Sequence, residues 1–254
     1  MEYQDVNFKI PQESESYKND SEFVVASIES IIKSAVDSGN NRIILNTNLK
    51  FGLPMENINK IAGPIVEAWT YEIFYDLKDD ENNTFQLINV EPLSRLDKAD
   101  LLLQFKKTKS VISAHIDVKA TAEDISNSGK GPNITSYSRI RSAYIEDPDF
   151  MFIILSLKHK VFSERNHKTK LIDGVMEIIK YNAYDLKYIS ECDINYNPAL
   201  GTGQIQIKDI HYVEYEFRTV WEFCQLLDKK YLNSSRRTFD DWYREAEKNQ
   251  WIKI

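Results

Sequence analysis

Two short runs hold the residue types most able to do chemistry: Ala99-Asp100-Leu101-Leu102-Leu103 and His115-Ile116-Asp117-Val118-Lys119. Each reads as an apolar strand with an acid near one end. A strand sends successive side chains to opposite faces, so Asp117 and Lys119 share a face while Val118 turns to a core. If the two strands pair, Asp100 comes beside Asp117, and two carboxylates and an ammonium share one small site. Hard cations such as Mg²⁺ take oxygen ligands and are commonly held by only one or two protein carboxylates. Such a cation polarises a phosphoryl group and acidifies bound water. An ammonium nearby orients the attacking water and stabilises developing negative charge. The pattern suits metal-assisted hydrolysis of a phosphodiester. Asp-x-Lys also arises by chance as an ion pair on an edge strand, and spacing alone leaves both readings open.

The elements around these runs have to position them. Lys106-Lys107-Thr108-Lys109 reads as the turn of a hairpin between strands Asp100 to Phe105 and Val111 to Lys119, the second supported by alternation from Val111 to Ile116. Phe85 to Val90 reads as another strand. Phe150 to Leu157 is nearly all apolar, as for a strand buried on both faces. The first twenty residues, polar and with Pro11, read as an N-terminal arm. Ser21 to Gly39 carries apolar residues at helical spacing, and a second helical stretch runs from Pro54 or Met55 to Leu77, interrupted at Gly63-Pro64. Further helices are expected over Ile134 to Tyr144, Leu171 to Tyr181, Arg218 to Leu232 and Thr238 to Lys248, and strands over Leu186 to Ser190 and Gln204 to Ile210. Thr121 to Asn133 is a loop just beyond the Asp-x-Lys strand, where function often sits.

Composition bounds the classes. A chain of 254 residues can bury a full core and form one domain. No internal repeat or long linker divides it, so residues 1–254 are expected to be a single α/β domain. Cys192 and Cys224 have no metal-ligand spacing and read as reduced thiols. The four histidines are scattered; His115 faces with Asp117 and Lys119 but reads first as a satisfied imidazole. No Gly-rich phosphate loop, nucleophile elbow or zinc spacing is present, so no organic cofactor is expected. No signal-peptide pattern opens the chain, and no apolar run approaches the roughly twenty residues that span a bilayer. A cytoplasmic protein with no membrane partner is the expectation. The net charge of −7 argues against a simple DNA-coating protein, though not against a DNA enzyme, since affinity depends on where the cations lie. The acids gather at Asp79-Asp80-Glu81. Basic residues cluster at Lys106-Lys107-Lys109, Lys158-His159-Lys160 and Arg236-Arg237; each of these, taken alone, reads as solvated surface.

The segment Ala99 to Lys119 resembles the PD-(D/E)xK nuclease motif, with Ala99 in place of the usual Pro. Ile43 to Lys50, Glu56 to Pro64 and Asn197 to Ile210 resemble the HpaI family of type II restriction endonucleases, and the resemblance runs over nearly the whole chain. Lys98-Ala99-Asp100 and Asp117-Val118-Lys119-Ala120 are similar, more distantly, to HincII-like enzymes. This implies a restriction-endonuclease-like fold, a central mixed β-sheet flanked by helices. It implies Mg²⁺ held by Asp100 and Asp117, with Lys119 beside the attacking water. Glu67 is implied as a third acid, because a helix Glu faces the metal in this class; otherwise it is a solvated or capping carboxylate. The implied reaction is hydrolysis of both strands of a palindromic double-stranded DNA site, GTTAAC, leaving blunt ends. A palindrome calls for a homodimer.

Sequence readout calls for side chains that reach base edges, Asn and Gln pairing with adenine. The resemblance points to Lys130-Gly131-Pro132-Asn133, with Asn133 at a base-contact position. A second candidate segment is Ala199 to Gln206, in which Gly201 permits close backbone approach, Thr202 lies beside it, and Gln204 and Gln206 share a strand face. Without the resemblance the glycines read as a hairpin and the glutamines as an exposed sheet face. Arg139 and Arg141 stand either at phosphates or on the surface. The rival readings are a structure-specific repair or junction nuclease of the same fold, and a DNA-binding module that cuts nothing.

Overall fold

The computed structural model describes residues 2–80, 83–94, 97–108, 110–199 and 201–253. Glu81, Lys109 and Leu200, parts of three segments singled out above, lie outside the described residues. The chain forms two compact units. One comprises residues 22–129 and 153–184, the other 1–21, 130–152 and 185–254.

The first unit is built on a six-stranded sheet. Its strands are β1 (Arg42–Leu45), β2 (Leu87–Pro92), β3 (Leu101–Lys107), β4 (Ser110–Ala122), β6 (Met151–Arg165) and β7 (Ile172–Asp185), in the spatial order β1-β7-β6-β4-β3-β2. β3 and β4 form the expected antiparallel hairpin, with Lys107 opposite Ser110 and Leu101 opposite Ile116. Helix α2 (Met55–Lys60) is followed by α3 (Ala62–Lys78), which packs on β2 and β4. The chain breaks between them at Ile61 and not at Pro64. Pro64 falls in the first turn of α3, where a missing N–H and a fixed φ are tolerated. Val66, Trp69, Thr70 and Phe74 form the buried stripe of α3.

The helix expected over 171–181 is a strand. Ile172, Val175 and Ile178 recur every third residue, which resembles a helical stripe. Yet β7 is an inner strand of the sheet, between β1 and β6, and residues 173–176 are buried in succession, so both faces are covered there and the alternation that marks a strand is lost. Gly174 and the β-branched Val175, Ile178 and Ile179 suit that environment.

The second unit holds a three-stranded antiparallel sheet of β5 (Asn133–Ser136), β8 (Ile194–Asn197) and β9 (Gln204–Ile207), in the order β5-β9-β8. Helices α4 (Tyr137–Glu146), α5 (Val220–Leu232) and α6 (Phe239–Lys248) complete it; α1 (Tyr17–Asp37) has residues in both units. The segment expected to be helical from Ile134 first pairs with β9 and becomes a helix only at Tyr137. Leu186–Tyr188 forms a short 3₁₀ turn where a strand was expected. Both C-terminal helices begin with reciprocal capping boxes, Thr219 with Glu222 and Thr238 with Asp241. The polar lead-in is tied down: Lys9 N donates to Trp251 O (2.8 Å) and Lys253 N to Asn7 O (2.7 Å).

Candidate active site

The hairpin register places the two acids side by side. Leu101 pairs with Ile116, so Asp100, one residue earlier, stands opposite Asp117. Asp100 N donates to Ile116 O (2.9 Å), and Val118 N donates back to Asp100 Oδ2 (2.7 Å), which holds that carboxylate against β4. Two residues beyond Asp117, on the same face, Lys119 Nζ donates to Asp117 Oδ1 at 2.9 Å. It also lies 2.8 Å from Oδ2, but at an angle that makes an ion pair and no hydrogen bond. Asp117 Oδ2 is therefore a buried carboxylate oxygen with unused acceptor capacity.

Asp117 is only 5% exposed, and burial pushes its carboxyl up to about 7, against the pull of Lys119 and with the charges of Asp100 and Glu67 adding. A carboxylate in that state gains from a cation. The donor set is all oxygen, partly buried and anionic, which fits a hard divalent ion that keeps most of its waters. Asp100 and Asp117 would hold it. Glu67, half-buried on α3, is close enough to act electrostatically on Asp117. Among the described residues no three side chains of metal-ligating type converge.

The residues expected to read DNA lie in the other unit. β9 alternates as its sequence implies: Ile205 and Ile207 are buried, while Gln204 and Gln206 face outward. Gln206 stands opposite Asn133, and its Nε2 donates to Asn133 Oδ1 and to Gly131 O, each at 3.0 Å. Asn133 and Lys130 are exposed, as is Arg139 on the first turn of α4. Thr202 Oγ1 shares hydrogen bonds with Ser138 (2.9 Å) and Ser136 (3.2 Å). Gly201 (φ +51°) and Gly203 (φ +89°) make the turn into β9; a Cβ on Gly203 would strike the Tyr196 hydroxyl at 2.2 Å and its ring at 2.3 Å. Arg237 pins this turn, donating to Tyr196 Oη (2.9 Å), Pro198 O (3.1 Å) and Gly201 O (2.6 Å).

Arg141 is a correction. It is fully buried, with Nε and Nη2 donating to Asp228 and its guanidinium over the Trp221 and Trp251 rings, so it cannot reach a phosphate. Asp228 also accepts from Tyr3 Oη (2.7 Å) and Tyr137 Oη (2.6 Å). The signal was in α5. Asp228 lies within an apolar stripe of Val220, Phe223, Cys224, Leu227 and Tyr231, where an acid requires a buried cation.

Sheet, hairpin and flanking helices define a restriction-endonuclease-like α/β fold. The NlaIV restriction endonuclease superimposes with a TM-score of 0.50 at 13% identity, covering 87% of each chain. Residues 4–250 match the model of the family described as type II restriction endonuclease HpaI. The type II restriction enzyme HpaI of Haemophilus parainfluenzae is 58% identical over 253 residues, spanning all of both chains. The chain belongs to the HpaI family of type II restriction endonucleases.

Proposed function

We propose that this endonuclease hydrolyses both strands of a short palindromic site in double-stranded DNA, with Mg²⁺ as cofactor, and acts as a homodimer. The observation that carries the reading is the cross-strand register that sets Asp100 beside Asp117, with Lys119 paired to Asp117 on the same face. When bound, Mg²⁺ would supply Lewis-acid charge neutralisation at the scissile phosphate. Asp100 and Asp117 hold the cation and Glu67 adds negative charge beside them. Lys119 orients the attacking water and stabilises negative charge as one P–O bond forms and another breaks. Asn133, Gln204 and Gln206 offer amides to base edges, while Lys130 and Arg139 offer charge to phosphates. Two-fold symmetry of the site calls for two subunits, one active site per strand. Membership of the HpaI family supports GTTAAC as the target, cut to blunt ends.

The test is to incubate the protein with Mg²⁺ and a long DNA of known sequence and to map the ends. Blunt ends at one palindrome are expected. No cutting, or cutting set by junctions and independent of sequence, refutes the reading.

A further inference from the structure

Phe51 is 86% exposed, more than any other large apolar side chain among the described residues. It caps a tight turn between β1 and α2, in which Gly52 N donates to Leu49 O at 3.1 Å. Lys50 Nζ lies 5.5 Å from its ring centroid. Leu49 in the turn, and Met55 and Ile61 at the two ends of α2, are each about half exposed. The stretch 46–54 has one cation and no acid, in a chain of net charge −7.

The turn is firmly mounted. Asn46, its amide nitrogen turned to the carboxylate, donates to Asp173 at 2.7 and 3.1 Å, and Asn166 Nδ2 donates to the same group at 2.8 Å. Gly52 sits at φ +69°, where a Cβ would meet Ile172 Cγ2 at 2.7 Å and Ile172 O at 3.2 Å, so only glycine fits against β7. Asn48 also takes a left-handed φ of +56°. Beyond the turn, α2 is fastened to the chain leaving β4: Asn59 Nδ2 donates to both oxygens of Asp124 at 3.2 Å, and Asn59 Oδ1 lies 3.1 Å from His159 Nε2. The catalytic strand and this turn are thus parts of one braced structure. A rigid mount presenting an aromatic and a lysine to solvent is not needed for packing, because neither side chain is buried.

We propose that the 46–54 turn is a second contact with the duplex, Lys50 meeting a backbone phosphate and Phe51 packing on the sugars or base edges beside it. The proposal deepens the DNA-cleavage reading above and rests on it. Along the chain, Gly52 stands no more than about 35 Å from Glu67, which is about one turn of duplex. A duplex seated at Asp117 is long enough to reach it. The single cation matches the phosphate lattice, and exposed apolar side chains are used by DNA-binding proteins against sugars and base steps.

The experiment uses the full chain and duplexes with and without the palindrome, in Ca²⁺, over a series of salt concentrations. Lys50→Ala is expected to lower the slope of log affinity against log salt by about 0.9, one phosphate contact. Phe51→Ala is expected to weaken binding several-fold on both duplexes, with the ratio between them unchanged. Thermal midpoints should match the wild type, since both side chains are exposed. Affinity and salt slope unchanged in both variants, beside a wild type that binds and cuts, overturn this inference alone. A wild type inert toward DNA overturns the function beneath it as well. Phe51→Glu turning a DNA-free dimer into a monomer would assign the turn to a second copy of the chain and overturn the proposal.

Discussion

Replacing Asp117 by Asn separates what this side chain does for the fold from what it does for the site. Its carboxyl is pushed from 3.8 up to about 7, chiefly by burial. At 1.36 kcal/mol per pH unit, that rise of about three units means the ionised carboxylate lowers stability by about 4 kcal/mol. The sign follows from the direction. An acid whose folded-state pKa is raised costs nothing below 3.8, costs more as pH climbs from there to about 7, and costs the full amount above. Asn carries no charge and escapes this cost. It gives up the ion pair to Lys119, whose side chain, 23% exposed, can turn its ammonium to water. In excess chelator near pH ~8, Asp117→Asn should therefore be more stable than the wild type, by up to about 4 kcal/mol, and the gap should close as pH falls toward ~4. Urea unfolding at a series of pH values measures it. In Mg²⁺ the same variant should cut at least about a hundredfold more slowly, the loss of a metal ligand in the transition state. A variant less stable than the wild type near pH ~8 refutes the electrostatic reasoning, and a folded variant that cuts normally removes Asp117 from the reaction.

Three further outcomes are expected. Lys119→Ala should keep specific binding in Ca²⁺ while its single-turnover cleavage falls by about a hundredfold or more; equal loss of binding would make Lys119 a phosphate anchor. Asp228→Ala strands the buried guanidinium of Arg141 and two tyrosine hydroxyls, so it should cost about 3–5 kcal/mol in urea unfolding, and a loss below about 1 kcal/mol would show the network to be dispensable. Asn133→Ala and Gln206→Ala should each weaken binding to the palindrome by about 1–3 kcal/mol with little change on unrelated DNA. Because Gln206 donates to Asn133, the double variant should fall short of the sum, whereas equal loss on every duplex would reassign both residues to backbone positioning.

The hairpin around Asp100, Asp117 and Lys119 was legible because its signals are local: apolar alternation, a short polar turn, and a period of two that puts Asp117 and Lys119 on one face. β9 was legible for the same reason, with Ile205 and Ile207 inward and both glutamines outward. The two capped C-terminal helices were also written locally, each with a Thr followed by an acid three residues on. β7 was not legible, since a strand covered on both faces loses its alternation and its residual three-residue spacing imitates a helix.

What the sequence determined by itself was the chemistry available: two acids and a lysine at strand spacing, amides on one face of a short strand, and a family pattern along the chain. Only the tertiary structure decided which charges are spent on the fold. Arg139 and Arg141 stand two residues apart on one helix, yet one is exposed and the other is locked on Asp228, eighty-seven residues away in sequence. Burial also decided that Asp117 is the carboxyl pushed upward, because its surroundings come from Glu67 on α3 and Asp100 just before β3 as well as from β4. The physical reason is common to both cases. Local sequence sets backbone preference and side-chain direction over a few residues, whereas desolvation and charge pairing depend on groups brought together from distant parts of the chain.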